Sequence, residues 1–142
     1  LTLRNADKPD LDYLSAQERV LAIRKHDIWL TNQANFSAKA ELFPAATFAL
    51  GTDTMARIAD PRFYQYNNNA MDTAIQRLHD LNVHFLVFGR AAGGQFIGLD
   101  DLALPRALGA LCQAVPESTY RNDQSSTQIR AQALSNGRDY PE

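Results

Sequence analysis

Two short apolar runs, each closed by glycine, set the frame for this sequence. Thr47-Phe48-Ala49-Leu50 leads into Gly51-Thr52-Asp53-Thr54, and Val83 to Phe88 leads into Gly89-Arg90. Brief runs rich in aromatic and branched side chains, bounded by glycine, read as buried strands. Between them Met71, Ala74, Ile75, Leu78 and Leu81 recur at helical spacing. Strand, helix and strand in that order predict a parallel sheet with helices on both faces, an α/β fold.

The remaining segments extend the alternation. Leu1 to Arg4 reads as a short strand, and Asn5 to Asp10 carries turn chemistry with Pro9 blocking helix before it. Ser15-Ala16-Gln17-Glu18 has capping-box spacing, and Tyr13, Ala16, Val20 and Ile23 share a helical face, so a helix is predicted near 15–25. Ile28-Trp29-Leu30 reads as a short buried strand, and Phe36 to Leu42 as a helix that stops before Pro44. A helix is expected from Thr52 through Ile58, broken by Asp60-Pro61, with Asn67-Asn68-Asn69 as loop or cap. Gly93-Gly94 predicts a turn with Phe96-Ile97 beyond it, Leu111 to Val115 a last strand, and Ser125 the start of a last helix. Thr47 to Leu50 is the expected central strand.

At 142 residues the chain is one domain's worth, 1–142, with no internal repeat or long linker. Apolar residues are 45% and charged residues 21%, so a disordered tail is excluded. No apolar run approaches the ~18 residues of a membrane helix. With 14 basic and 16 acidic residues, no basic excess marks a nucleic-acid surface, whereas backbone amides and one or two arginines suffice for a free nucleotide. Cys112 stands alone in an apolar stretch, which reads as a buried structural thiol and fits a cytoplasmic setting. His26, His79 and His84 have no metal-ligand spacing, so no protein-held metal site is expected. The chain opens on Leu1 with strand-like residues and no lead-in, so it is expected to begin inside a longer protein, lacking the first strand and helix of its domain.

In parallel α/β sheets ligands sit beyond the carboxyl ends of the strands, so the residues after each strand are the candidates. Gly51 lets a ligand approach the backbone, and Asp53 can accept hydrogen bonds from ribose hydroxyls. The plainer reading makes Gly51 a turn and Asp53 a helix cap. Arg90 offers a cation to a phosphate or is an exposed strand-end arginine. Ser125, Ser126 and Thr127 lie at a predicted helix start with Arg130 one turn on from Ser126, a set suited to cradle phosphate. The plainer reading of Ser125 and Gln128 is a capping box. No residue is singled out as the catalytic group.

In order, Lys8-Pro9, Glu18-Arg19, Phe48-Ala49-Leu50-Gly51-Thr52-Asp53-Thr54, Phe85-Leu86-Val87-Phe88-Gly89-Arg90 and Ser125-Ser126-Thr127-Gln128-Ile129-Arg130 span nearly the whole chain. This order resembles the nucleotidylyltransferase superfamily, and within it the nicotinamide mononucleotide adenylyltransferases and cytidylyltransferase-like proteins. The resemblance implies a Rossmann-like three-layer sandwich. It implies transfer of a nucleotidyl group from ATP, or less favourably CTP, to a nucleotide acceptor such as nicotinamide mononucleotide, with Mg²⁺ and release of pyrophosphate. By resemblance Ser125, Ser126, Thr127 and Arg130 hold the triphosphate, Gly51 and Asp53 contact a nucleoside ribose, and Lys8, Arg19 and Arg90 are further phosphate ligands. Phe63 or Tyr64 stands where many relatives carry a tryptophan that stacks on the acceptor ring. Relatives often assemble, so a homo-oligomer is within the family's habit.

The departure is the family's His-x-Gly-His element, which faces the transferring phosphate and is absent from these 142 residues. A chain that begins late accounts for it. A non-catalytic nucleotide-binding module, or a structural domain of the same fold, are the alternatives.

Overall fold

A computed structural model describes residues 1–4, 9–23 and 25–122. Helices α1 (Tyr13–Ala22) and α2 (Phe36–Leu42) precede strand β1 (Thr47–Gly51). Helix α3 (Thr52–Ile58), a 3₁₀ turn (Pro61–Tyr64) and α4 (Asn68–Asp80) lead to β2 (His84–Phe88). A small hairpin, β3 (Arg90–Ala92) and β4 (Gln95–Ile97), is followed by α5 (Arg106–Gly109) and β5 (Cys112–Val115). The fold is thus mixed α/β, with a parallel sheet flanked by helices.

Local chemistry explains the boundaries. Asn35 and Asn67 cap α2 and α4, accepting the Ala38 and Ala70 amides at 2.9 and 3.1 Å. Asp60 caps the 3₁₀ turn, whose first residue is Pro61. Asn82 takes a left-handed φ of 52° between α4 and β2, a conformation asparagine tolerates better than most residues.

Sheet order is β1-β2-β5, all parallel, with Thr47 opposite His84 and Phe85 opposite Cys112. Side chains alternate across a strand, so this register puts Phe48, Leu50, Phe85, Val87 and Cys112 on one face. Phe85 and Val87 are fully buried there, beneath Met55 and Ile58 of α3, Met71, Ile75 and Leu78 of α4, and Leu108 of α5. Phe36 of α2 stands edge-on to Phe48 and Phe85, centroids 5.4 and 5.8 Å away. Arg77 of α4 clamps Glu41 of α2 through two hydrogen bonds, which hold the Glu41 carboxyl below its ordinary pKa. Cys112 packs in this core with its thiol 3.2 Å from the Leu108 carbonyl, and burial pushes its pKa up to about 11. The sequence predicted a buried structural thiol; Cys112 is half-buried and packs against the core.

Three expectations are corrected. Helix α1 begins at Tyr13, because Asp12, not Ser15, is its cap: the Asp12 carboxylate accepts the Ser15 amide at 3.0 Å and its hydroxyl at 2.6 Å. Of the face named from sequence, Ala16 is buried, while Tyr13 is 77% and Ile23 43% exposed. Ile28-Trp29-Leu30 is not a strand. Next to it Thr31 makes an isolated parallel bridge to Thr2, and Trp29 stays largely exposed with its ring edge-on to Phe43. Among the described residues β2, flanked on both sides, is the central strand, and β1 is an outer one. The helix expected at Ser125 lies outside the described residues.

Candidate functional site at the carboxyl edge of the sheet

Gly51 and Phe88 are register partners, so the carboxyl ends of β1 and β2 meet side by side. There the chain leaves each strand through the residues singled out from sequence. From β1 it turns directly into α3, burying Thr52 and presenting Asp53 in the first turn. From β2 it passes through buried Gly89 to Arg90. The Arg90 guanidinium reaches across to Asp53, Nη1 to Oδ2 at 2.9 Å. Both groups are about half exposed, so the pair adds little to stability, at most ~1 kcal/mol. Its value is positional: it fixes a carboxylate and a cation within one ligand's reach. Asp53 does not cap α3; Gly51 is the cap residue, and no side chain bonds there.

These strand ends floor an open concavity of about 530 Å³. Ala49, Gly51 and Gly89 leave its base low, Arg90 stands on one wall, and Tyr120 and Asn122 close another. Tyr120 is held by its ring, edge-on to Phe88 at 5.2 Å. The two glycines serve different ends. A Cβ on Gly51 would approach only the Phe88 carbonyl, at 3.9 Å, so its bareness keeps the concavity open. A Cβ on Gly89 would lie 2.3 Å from the Phe96 ring and 2.7 Å from the Ile97 carbonyl, so glycine is required there to seat the hairpin.

A second concavity of about 520 Å³ lies between α2, α3 and α4. Its polar rim carries Arg4, Lys39 and Arg57, with no carboxylate among its lining residues, and Phe36, Phe63 and Tyr64 supply aromatic walls. The Lys39 ammonium stands 4.5 Å from the Phe36 ring centre, and burial lowers its pKa. Tyr64 is oriented by its hydroxyl, which donates to the Ile58 carbonyl at 3.0 Å. Arg62, between the two, turns away to pair with Asp60. Helix α3 separates the two concavities: Asp53 stands at its strand end, while Thr54 and Arg57, one turn apart, line the groove.

Of the residues predicted from sequence, Gly51, Asp53 and Arg90 are brought together. Arg19 is exposed in the last turn of α1. Lys8, Ser125, Ser126, Thr127 and Arg130 lie outside the described residues. Sequence reasoning missed Tyr120, Asn122, Phe36, Lys39 and Arg57. For the last two a signal existed: Phe36 with Lys39, and Thr54 with Arg57, each stand three apart on a predicted helix. The histidines lie away from the edge: His79 bonds the Ala107 carbonyl at 2.9 Å, and His84 is exposed at the opposite end of β2.

Among the described residues no three of His, Cys, Asp or Glu are placed to hold a metal ion, and no helix is long and apolar enough to cross a membrane. No family model, curated protein or solved structure matches the chain.

Proposed function

We propose that this chain is the nucleotide-binding part of a cytoplasmic nucleotidylyltransferase with a Rossmann-like three-layer sandwich. One observation carries the reading: Gly51 and Gly89-Arg90, at the ends of adjacent parallel strands, line one open concavity, and Arg90 of that lining pairs with Asp53. Ligands of parallel α/β sheets bind at such edges. In this reading a nucleoside triphosphate, ATP in preference to CTP, lies over Gly51 with its ribose on Asp53 and its phosphates near Arg90. Lys8, Arg19 and the Ser125, Ser126, Thr127 and Arg130 set are further phosphate ligands. The cationic, aromatic-walled groove beyond α3 suits the nucleotide acceptor, its phosphate toward Arg57 and Lys39 and its ring against Phe63 or Tyr64. Nicotinamide mononucleotide has those properties.

The chemistry is a displacement at phosphorus. An acceptor phosphate oxygen bonds the α-phosphorus of the triphosphate, the bond from that phosphorus to the bridging oxygen breaks, and pyrophosphate leaves. The work of these residues is positioning and charge stabilisation. Mg²⁺ would be held largely by the substrate phosphates, whose charge it would neutralise.

The test is pyrophosphate release by the full-length protein with each triphosphate and acceptor, before and after Arg130→Ala and Asp53→Ala. Loss of an arginine–phosphate contact should lower kcat/KM at least ~100-fold. An unchanged rate in both variants overturns the assignment. The position of His79 and His84, both away from the edge, favours a second reading, a nucleotide-binding module without turnover. Saturable nucleotide binding with no pyrophosphate released is its signature.

A further inference from the structure

A lysine changes from a cation to a nucleophile when water is taken from its ammonium and no carboxylate replaces it. The chain has three lysines, Lys8, Lys25 and Lys39. Lys25 is exposed, whereas Lys39 is half-buried. Phe36 and Lys39 stand three apart on α2, which sets the Lys39 ammonium over the Phe36 ring. Among the described residues no carboxylate, carbonyl or hydroxyl bonds that ammonium. The carboxylate on its own helix, Glu41, is held by Arg77.

Lys39 and Phe36 line two hollows. One is the groove of about 520 Å³ between α2, α3 and α4; the other, of about 440 Å³, is walled by Trp29, Phe43 and Phe48. The titratable and charged groups that line them with Lys39 are Arg4, Arg57 and Tyr64 in the groove and His26 and Asp27 in the second hollow.

We propose that the groove captures an anionic aromatic aldehyde through an imine formed at the Lys39 Nζ. Three properties select that class. Arg4 and Arg57 hold oxyanions, and the groove lining contains no carboxylate, so an anionic ligand is favoured. Arg4 is exposed and stands 3.8 Å from Asp10, a loose pairing that a phosphate can replace. Phe36, Phe63 and Tyr64 give flat apolar walls for a ring, with Tyr64 fixed by its hydroxyl on the Ile58 carbonyl. Lys39 supplies the third property. Burial lowers its pKa, and two cations share its groove, so part of its population is the free amine that attacks carbonyl carbon.

The reaction balances without a further reagent. The Nζ lone pair bonds the aldehyde carbon, and the carbonyl π pair moves to oxygen, which takes the proton that nitrogen gives up. The carbinolamine so formed loses its hydroxyl and the remaining N–H proton as water, leaving a C=N bond. The capture goes beyond nucleotidyl transfer and does not rest on it. The aldehyde occupies the place given above to the acceptor, so the two ligands exclude each other.

Labelling of the full-length protein with pyridoxal phosphate, a phosphate-bearing aromatic aldehyde, tests the proposal. Borohydride reduction and peptide mass mapping then separate the three lysines. Lys39 should be modified about tenfold faster than Lys25, or more, and its labelling should saturate as the aldehyde is raised. Pyridoxal, which lacks the phosphate, should modify Lys39 several-fold more slowly. Arg57→Gln and Phe63→Ala should each slow its labelling by pyridoxal phosphate to a similar degree. Lys39→Arg should remove the saturable imine absorbance. Three results overturn the proposal: equal labelling of Lys39 and Lys25, no effect of the phosphate at Lys39, or equally tight binding of the aldehyde by Lys39→Arg, which makes the groove an anion site without a covalent step. The comparisons within the unmodified sequence stand even where a variant fails to fold, and none requires turnover of a nucleotide.

Discussion

Helices α1 and α4 carry the same kind of apolar repeat and meet opposite fates. Met71, Ile75 and Leu78 of α4 are all buried, whereas of α1 only Ser15 and Ala16 are, and Tyr13, Leu14 and Leu21 stand in solvent. Both are well capped, α1 by Asp12 and α4 by Asn67. The difference is what lies beneath. Helix α4 lies against β2, whose Phe85 and Val87 give it a floor, and is tied to α2 by Arg77 and Glu41. Periodicity therefore fixes that a helix forms and which face it offers; burial requires a second surface that the local sequence does not describe.

The largest expected effect separates the two helices directly. Leu78→Ala should cost about 2–5 kcal/mol in chemical denaturation, while Leu14→Ala or Leu21→Ala should change stability by no more than ~0.5 kcal/mol. Equal losses would show α1 to be buried in solution and erase the contrast. The two glycines of the carboxyl edge differ next. Gly89→Ala should destabilise by about 1–3 kcal/mol, because its Cβ meets the Phe96 ring and the Ile97 carbonyl. Gly51→Ala should leave the melting temperature nearly unchanged and weaken nucleotide binding several-fold in calorimetry.

The smallest effect is the pH dependence of the α2–α4 clamp. Arg77 lowers the folded-state pKa of Glu41 below its ordinary value of 4.5, so the clamp stabilises the fold above that pH and the gain is lost as pH falls through the lower folded value. Glu41→Gln should therefore be slightly less stable than the parent at neutral pH, and the gap should close on acidification below pH 4.5. A gap that persists at low pH would show that packing rather than charge joins the two helices.

Much of the sheet was legible because its signals are local. The strands at Thr47–Gly51 and His84–Phe88, the helices α2, α3 and α4, and the hairpin turn at Gly93-Gly94 stand where glycine, proline, asparagine and apolar spacing put them. Ile28-Trp29-Leu30 misled because three apolar residues in a row also suit an exposed arm that lays one ring on Phe43. Ser15 misled because Asp12, three positions earlier, caps the helix by accepting the Ser15 amide, which places Ser15 inside the first turn. At the carboxyl edge Gly51, Asp53 and Arg90 were readable as strand endings, but their ion pair was not, since it depends on register between strands far apart in sequence. Tyr120 escaped notice for the same reason: only the pairing of β2 with β5 carries it to Phe88.

That register also sets the order in which the molecule can assemble. Thr47 finds its partner in His84, and Phe85 in Cys112, 37 and 27 positions on, so each ladder closes a long loop. Arg90 and Ile97, by contrast, pair across a turn whose glycines already favour φ of 59° and 84°. Loop-closure entropy must be met before distant strands reward it, so the hairpin can form within microseconds while the sheet waits for both crossovers. On a growing chain β2 has no second neighbour until Val115 has emerged, and through that interval its free backbone edge is open to other chains.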